Sequence, residues 1–373
     1  MISPLRLIAV AVAASVLVIM IMTVLVPIIG DDSDAWRYDD YREIPEATDA
    51  SGALEIVQIG GVSYVHARDV GAGSYSIGIK TVDVTVDRAI LDVYLMDGQS
   101  NAAYYDADPS KVDPAPKPGT VYYYGTADRP ADSLDFSTKG CAMHDMVSSD
   151  GTPAIGDKGP VFGARYHELT GHKVYYVTAA IGGKGIEAFQ PEDGEMWVHT
   201  KTILAAAMAE LDASKWEIVD RAYLWIQGEA NWQMTADSYK TRFLAMHDAI
   251  LDGDLGYKFD RCIICLPQTL KGDGGPREAQ IELAQERPGT IIIGCDATEG
   301  FTKANGLLGS DGIHYSQLGD NIVGVDLADA AVKSYGLYEA TGPVKTLMSI
   351  IPLLLIVGII ILVVSEAIMK RAG

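Results

Sequence analysis

The sequence predicts an α/β fold, a three-layer α/β/α sandwich on a parallel sheet of about five strands, with an apolar helix at each chain end. Three observations predict it. Short apolar runs alternate with longer helical stretches from residue 89 to 338. The runs are nearly uninterrupted, as in strands covered on both faces. Glycine-bearing turns follow several of them, where the backbone must bend sharply.

Residues 7–29 form an apolar run of 23 residues without a charge, and about 20 suffice to span a bilayer. They predict a transmembrane helix over residues 5–29. A cleaved signal peptide, whose apolar region runs about 7–15 residues, is the alternative. Residues 30–49, with Asp31, Asp32, Asp34, Asp39 and Asp40, read as an acidic linker. Residues 50–88 alternate at 62–66 and 82–86, which predicts a small β-rich element of half-buried strands. The main domain, 89–338, then alternates strands at 90–96, 173–181, 218–226, 261–266 and 290–294 with helices at 162–169, 198–211, 236–251, 276–285 and 317–335. A second apolar run at 346–365 predicts a transmembrane helix over 346–366. Arg6 before the first run, and Lys370 and Arg371 after the second, place both termini in the cytoplasm and residues 30–344 outside the cell membrane; Lys345 on the outer flank opposes this.

The net charge is −21, and residues 30–344 alone hold 49 acidic and 25 basic side chains. Such a domain is repelled by nucleic acid and anionic lipid, and a polyanionic substrate is disfavoured. The four cysteines are Cys141, Cys262, Cys265 and Cys295. The Cys262-x-x-Cys265 pair lacks the second pair, or the histidines, of a zinc site. It lies in an apolar strand and reads as buried core thiols, while disulfide pairing is not legible from spacing.

Four segments at strand ends carry chemistry. Gly98-Gln99-Ser100-Asn101 puts a serine on a tight turn that Gly98 permits. Gly182-Gly183-Lys184-Gly185 exposes backbone N–H groups, as an oxyanion hole requires, although an ordinary glycine-rich turn has the same look. Trp225-Ile226-Gln227-Gly228-Glu229 ends a strand with an amide that can donate to an oxyanion, and with a carboxylate that can hold a neighbour. Asp311-Gly312-Ile313-His314 pairs an imidazole with a carboxylate three residues earlier; the imidazole can serve as base to a serine, and the carboxylate can fix its tautomer. The other histidines show no such partner pattern. The G-x-S-x-G of α/β-hydrolases is absent, because Ala102 follows Asn101, and acid and base share one tetrapeptide, unlike the usual order there.

Taken together, the four segments resemble the SGNH hydrolase superfamily, which has a flavodoxin-like fold, and within it the sialate O-acetylesterase and acetylxylan-esterase-like carbohydrate esterases. G-Q-S-N, A-I-G-G-x-x-I (Ala180 to Ile186), W-x-Q-G-E and D-G-x-H occur in the family's order across residues 89–336. The resemblance implies Ser100 as nucleophile, His314 as base and Asp311 as its orienting partner. It implies an oxyanion hole of the Ser100 N–H, a Gly182 or Gly183 N–H and the Gln227 side chain, supported by Gly98, Gln99, Asn101 and Glu229. No metal or cofactor is implied; the partner is an acetylated carbohydrate or glycoconjugate. Asp97 and Lys184 depart from the family pattern, where a small or apolar residue is common at the first position and Thr or Ser at the second. Tyr122, Tyr123, Tyr124, Trp197 and Trp232 fall in or near loops of the active face and could stack on sugar rings, with core packing expected for at least half. Two rival readings are a non-catalytic glycan-binding module and a lipid esterase or thioesterase on the same fold.

Overall fold

The computed structural model describes residues 40–43, 54–67, 73–77, 80–84, 88–105, 107–131, 137–268, 274–296 and 300–338. Both apolar end segments lie outside these residues. Among the described residues no helix is long and apolar enough to cross a membrane.

The chain opens with β1 (Asp40–Glu43), β2 (Leu54–Ile59) and β3 (Val62–Ala67), a small antiparallel sheet in the order β1-β3-β2. A hairpin follows, β4 (Gly73–Ile77) with β5 (Lys80–Val84). Strands thus occur within residues 50–88, and one further strand, β1, falls inside the stretch read as linker. Acidic residues do not prevent pairing there, because Asp40 lies 3.3 Å from the Lys173 ammonium and Tyr41 stacks on His66 at 4.0 Å.

The main sheet contains β6 (Ala89–Gly98), β7 (Val121–Thr126), β8 (Arg129–Pro130), β9 (Ala142–Asp145), β10 (Lys173–Thr178), β11 (Trp216–Glu217), β12 (Arg221–Ile226), β13 (Arg261–Leu266) and β14 (Ile291–Asp296). Its order is β14-β13-β12-β6-β10-β7-β8, with β11 beside β6 and β9 beside β7. The strands from β14 to β7 are parallel. β8 and β9 run antiparallel to β7, so the sheet is mixed and wider than the expected five strands.

Strand parity sorts the core into two faces. Leu91, Val93 and Leu95 of β6 face one side with Tyr175, Tyr223, Trp225 and Ile264. That side is covered by α2 (Glu195–Ala209), α3 (Ala236–Asp252) and α4 (Gly275–Glu286). Tyr94 and Met96 face the other side, under α1 (Lys158–Thr170) and α5 (Gln317–Tyr338). Three layers result, as the alternating pattern predicts. Helix ends follow local chemistry. Thr235 caps α3 by accepting from Ser238 N–H, and Gly171 ends α1 in the left-handed region with its N–H on His167 O.

Tyr122, Tyr123 and Tyr124 are corrected from loop to strand. They lie in β7 and are buried, as is Trp197 in α2, so none of the four is a sugar platform. Of the five aromatics only Trp232 is open, at 40% exposure.

Candidate active site

The site forms where β6, β10, β12 and β13 end, the edge at which open α/β sheets bind ligands. Gly98 closes β6 with φ +135°, and a Cβ there would sit 2.1 Å from Ile226 O, so only glycine lets β6 finish this close to β12. Gln99 donates its N–H to Ile226 O at 3.0 Å, and its carbonyl accepts from Ala102 and Ala103 N–H. These bonds wind the chain into a turn with Ser100 on it.

The side chains flanking Ser100 fasten that turn to the neighbouring loops. Gln99 Oε1 accepts from Ala230 N–H at 2.9 Å. Asn101 Nδ2 donates to Glu229 Oε1 at 3.0 Å, while its Oδ1 accepts from Tyr315 N–H at 3.2 Å. Asn101 thereby joins the serine turn, the end of β12 and the histidine loop.

In that loop Asp311 Oδ1 accepts from the N–H groups of Ile313 and His314, and Oδ2 accepts from His314 Nδ1 at 2.6 Å. A carboxylate can only accept here, so Nδ1 carries the proton and Nε2 is left to act as a base. The bond from His314, then that from Ile313 N–H, hold the Asp311 carboxyl down at about 2. The Tyr105 ring covers His314 at 4.1 Å. Ser100 and His314 line one small pocket together with Asn101, Tyr105, Lys158 and Asp320. The structure shows no direct hydrogen bond between Ser100 and the His314 ring; such bonds tighten when substrate arrives in many enzymes.

The glycines after β10 lie beside the serine. A Cβ on Gly182 would meet Ser100 Cβ at 3.5 Å, and Gly183, at φ +76°, faces open space. The backbone N–H groups of Ser100, Gly182 and Gly183 donate to no acceptor among the described residues, so all three stand available to a developing oxyanion.

Gln227 departs from its expected part. It is fully buried; its Nε2 donates to Asn231 Oδ1 at 2.6 Å and to Lys184 O at 3.2 Å, and its Oε1 accepts from the Tyr239 hydroxyl at 2.7 Å. Both amide protons are taken, so in this state the side chain braces the loop after β10 instead of facing Ser100. Asn231, which sequence reading did not single out, is its counterpart. It accepts from Ile186 N–H and donates to Glu187 Oε2. The spacing Gln227-x-x-x-Asn231 was a signal only in retrospect, since it matters through a turn of 3-10 helix, Glu229–Asn231.

Glu229 has one oxygen on Asn101 and the other, Oε2, buried without a hydrogen-bond partner. Burial raises its pKa, and the Asn101 bond only partly offsets that. Lys158 was also missed. It opens α1 and is buried between Asp157 and Asp320. Burial lowers its pKa, yet the two carboxylates outweigh that and hold it above the ordinary lysine value. The two departures from the family pattern find ordinary partners: Asp97 accepts from Gly98 N–H and the Thr200 hydroxyl, and Lys184 pairs with Glu195 at 2.7 Å. Beside Ser100 a groove of about 430 Å³ is lined by Gln99, Gly183, Glu229, Trp232, Gln268 and Ile313. Among the described residues no group of three or more His, Cys, Asp or Glu could hold a metal ion.

A family model described as carbohydrate esterase, sialic acid-specific acetylesterase matches residues 90–333. The chain belongs to that family. It is thus a carbohydrate esterase, a carboxylic ester hydrolase. No curated relative matches it. Solved structures similar to this esterase include an Arabidopsis thaliana protein (17% identity, 65% of this chain and 98% of that one, TM-score 0.46). A carbohydrate acetylesterase from Xanthomonas citri matches at 19% identity over 81% of this chain and 73% of its own, with TM-score 0.43. NanS matches at 11% identity over 69% and 99%, with TM-score 0.48.

Proposed function

We propose that this esterase hydrolyses O-acetyl, or similarly short acyl, esters on carbohydrates through a covalent acyl-serine. Ser100 Oγ attacks the ester carbonyl carbon as His314 Nε2 takes its proton. The oxyanion is received by backbone N–H groups from Ser100 and from Gly182 or Gly183. The sugar alcohol leaves with the proton from His314. Water, deprotonated by the same ring, then attacks the acyl carbon and releases acetate, restoring Ser100. Asp311 keeps the ring in the tautomer that both steps need.

The observation that carries this reading is the 2.6 Å Asp311–His314 bond at the rim of the pocket that Ser100 lines. The groove beside it has a largely apolar lining that includes Trp232 and Ile313, crossed by the polar side chains of Gln99, Gln268 and Glu229; the choice of a carbohydrate rests on the family. The two apolar end segments would hold the catalytic domain against the outer face of the cell membrane with both termini cytoplasmic, close to envelope glycans.

The test is acetate release from p-nitrophenyl acetate and a panel of acetylated glycans by the full-length chain in detergent, beside Ser100→Ala. The variant should lose about 10⁴-fold or more in kcat/KM with an unchanged melting temperature. A folded wild-type chain that releases acetate from no ester would sink the proposal in favour of a glycan-binding module.

A further inference from the structure

Three of the four cysteines lie in strands and divide by strand parity and register. Cys262 faces the side of the sheet under α2, α3 and α4, whereas Cys265 and Cys295 face the other side, under α5. Along β13 and β14 the pairing runs Cys262 with Ile291, Ile263 with Ile292 and Ile264 with Ile293. Continued regularly, it would set Cys265 against Gly294. A bulge after Ile264 shifts the register by one residue and sets Cys265 against Cys295 instead. Gly294 fits the crowded spot this leaves, since a Cβ there would come 2.7 Å from the Ile263 side chain.

Paired residues on neighbouring strands have Cα atoms about 5 Å apart, inside the range of about 4.4–6.8 Å that a disulfide spans, and closing the bond requires the two Cβ atoms to lean together to about 3.5–4.5 Å. All four thiols are free in this structure. Cys265 is wholly buried and Cys295 is 3% exposed, and the pair is bracketed by the Tyr315 hydroxyl, 3.9 Å from Cys265 Sγ, and by Asp326, 3.4 Å from Cys295 Sγ.

We propose that Cys265 and Cys295 are a disulfide-forming pair, a cross-strand redox site beneath the His314 loop. A small disulfide oxidant such as oxidised glutathione supplies the co-reactant. One cysteine, as thiolate, attacks a glutathione sulfur and expels one glutathione thiolate. The second cysteine, deprotonated, then attacks the protein sulfur of the mixed disulfide and expels the other. Two cysteine protons and two electrons end on two glutathione thiols, and one S–S bond links β13 to β14. In the folded chain the bond to Cys265 and burial push the Cys295 thiol far above the ordinary range, so the thiolate is scarce there. Oxidation therefore belongs to folding, before β14 docks at the sheet edge. The closed loop contains α4, whose Gln280 holds Gln227 O at 2.7 Å, so the bond would clamp the floor of the active site.

The experiment refolds the full-length chain from denaturant in detergent, in a glutathione buffer that oxidises a reference disulfide protein, and in parallel under dithiothreitol. Free thiols are then alkylated under denaturing conditions and mapped by mass spectrometry. The expected result is a single linked peptide pair holding Cys265 and Cys295, two alkylated thiols at Cys141 and Cys262, and a melting temperature about 5 °C above the reduced chain. Cys295→Ser should abolish both the link and the shift. Four alkylated thiols in the oxidised sample, or a bond to Cys141 or Cys262, overturns the proposal. Should refolding fail, the same mapping on chain purified natively from an oxidising compartment decides it by the same outcomes.

Discussion

The two ends of the main sheet carry polar networks of similar size and opposite character. At the amino ends of the strands, Asp220 accepts both guanidinium nitrogens of Arg261, at 2.5 and 2.8 Å, and also bonds the hydroxyls of Tyr94 and Tyr166. Asp92 accepts from Tyr166, His172 and Asp220 N–H. Arg261 completes its set with Ser334 Oγ and Ala331 O. Asp92, Asp220, Arg261, Tyr94 and Tyr166 are all buried, and each charge has a partner. At the carboxyl ends, by contrast, three backbone N–H groups and one oxygen of Glu229 have no acceptor or donor among the described residues, nor has one ring nitrogen of His314. A saturated network fixes the strands in one arrangement. An unsaturated one holds binding capacity in reserve for charge that appears only during reaction.

The sharpest way to break this contrast is at the saturated end. Asp220→Ala strands Arg261 in the core and should cost about 3–5 kcal/mol of stability, read by denaturant unfolding of the full-length chain. Molecules that do fold should retain most of their kcat. A large loss of kcat at full stability would mean that this end takes part in catalysis after all.

At the open end the effects reverse. Asp311→Asn removes the acceptor that sets the His314 tautomer, and kcat should fall about 10²-fold with little change in melting temperature. The loss should be smaller than for a buried catalytic aspartate, because Asp311 is partly exposed to water. Held at about 2, the Asp311 carboxyl stays ionised across ordinary assay pH, so acid inactivation of the wild type should not trace to its protonation. An acid limb that disappears in Asp311→Asn would contradict this.

How much of each end the sequence shows depends on how local its interactions are. Asp311 and His314 were legible because donor and acceptor sit three residues apart on one turn. β13 was legible to the residue, since Arg-Cys-Ile-Ile-Cys-Leu has no polar interruption after its first position. β7 was not: Val-Tyr-Tyr-Tyr-Gly-Thr follows a Pro/Gly-rich stretch, and its tyrosines suit a loop as well as a buried strand until β10 pairs with it and the layers on both faces bury them. β8 and β9 are short antiparallel additions whose pairing depends wholly on β7. The orientation of Gln227 was beyond reach for a similar reason, because it is set by Asn231 through the 3-10 turn that follows β12, and by Tyr239 and the Lys184 carbonyl arriving from two other segments. The Cys265–Cys295 register hangs on a single bulge, which no periodicity reveals.

The smallest expected effect tests the idea that unsatisfied groups are a cost the site carries for function. Glu229→Gln keeps an oxygen for Asn101 and removes the charge that burial penalises. The sign follows from the raised pKa: the folded chain favours the protonated carboxyl, so wild-type stability falls as pH rises from the ordinary glutamate value, about 4.3, through the raised one. The variant should therefore be more stable at neutral pH, by about 1 kcal/mol, with the gain vanishing below about pH 4. A gain that persists unchanged in acid would show that packing, not the charge, was responsible. If kcat/KM on an acetylated glycan drops while p-nitrophenyl acetate turnover holds, the carboxyl is kept for the sugar side of the groove that it lines with Trp232 and Gln268. If both substrates are turned over as before, the unpartnered oxygen is a cost without a catalytic return, and the contrast between the two ends narrows to the backbone donors alone.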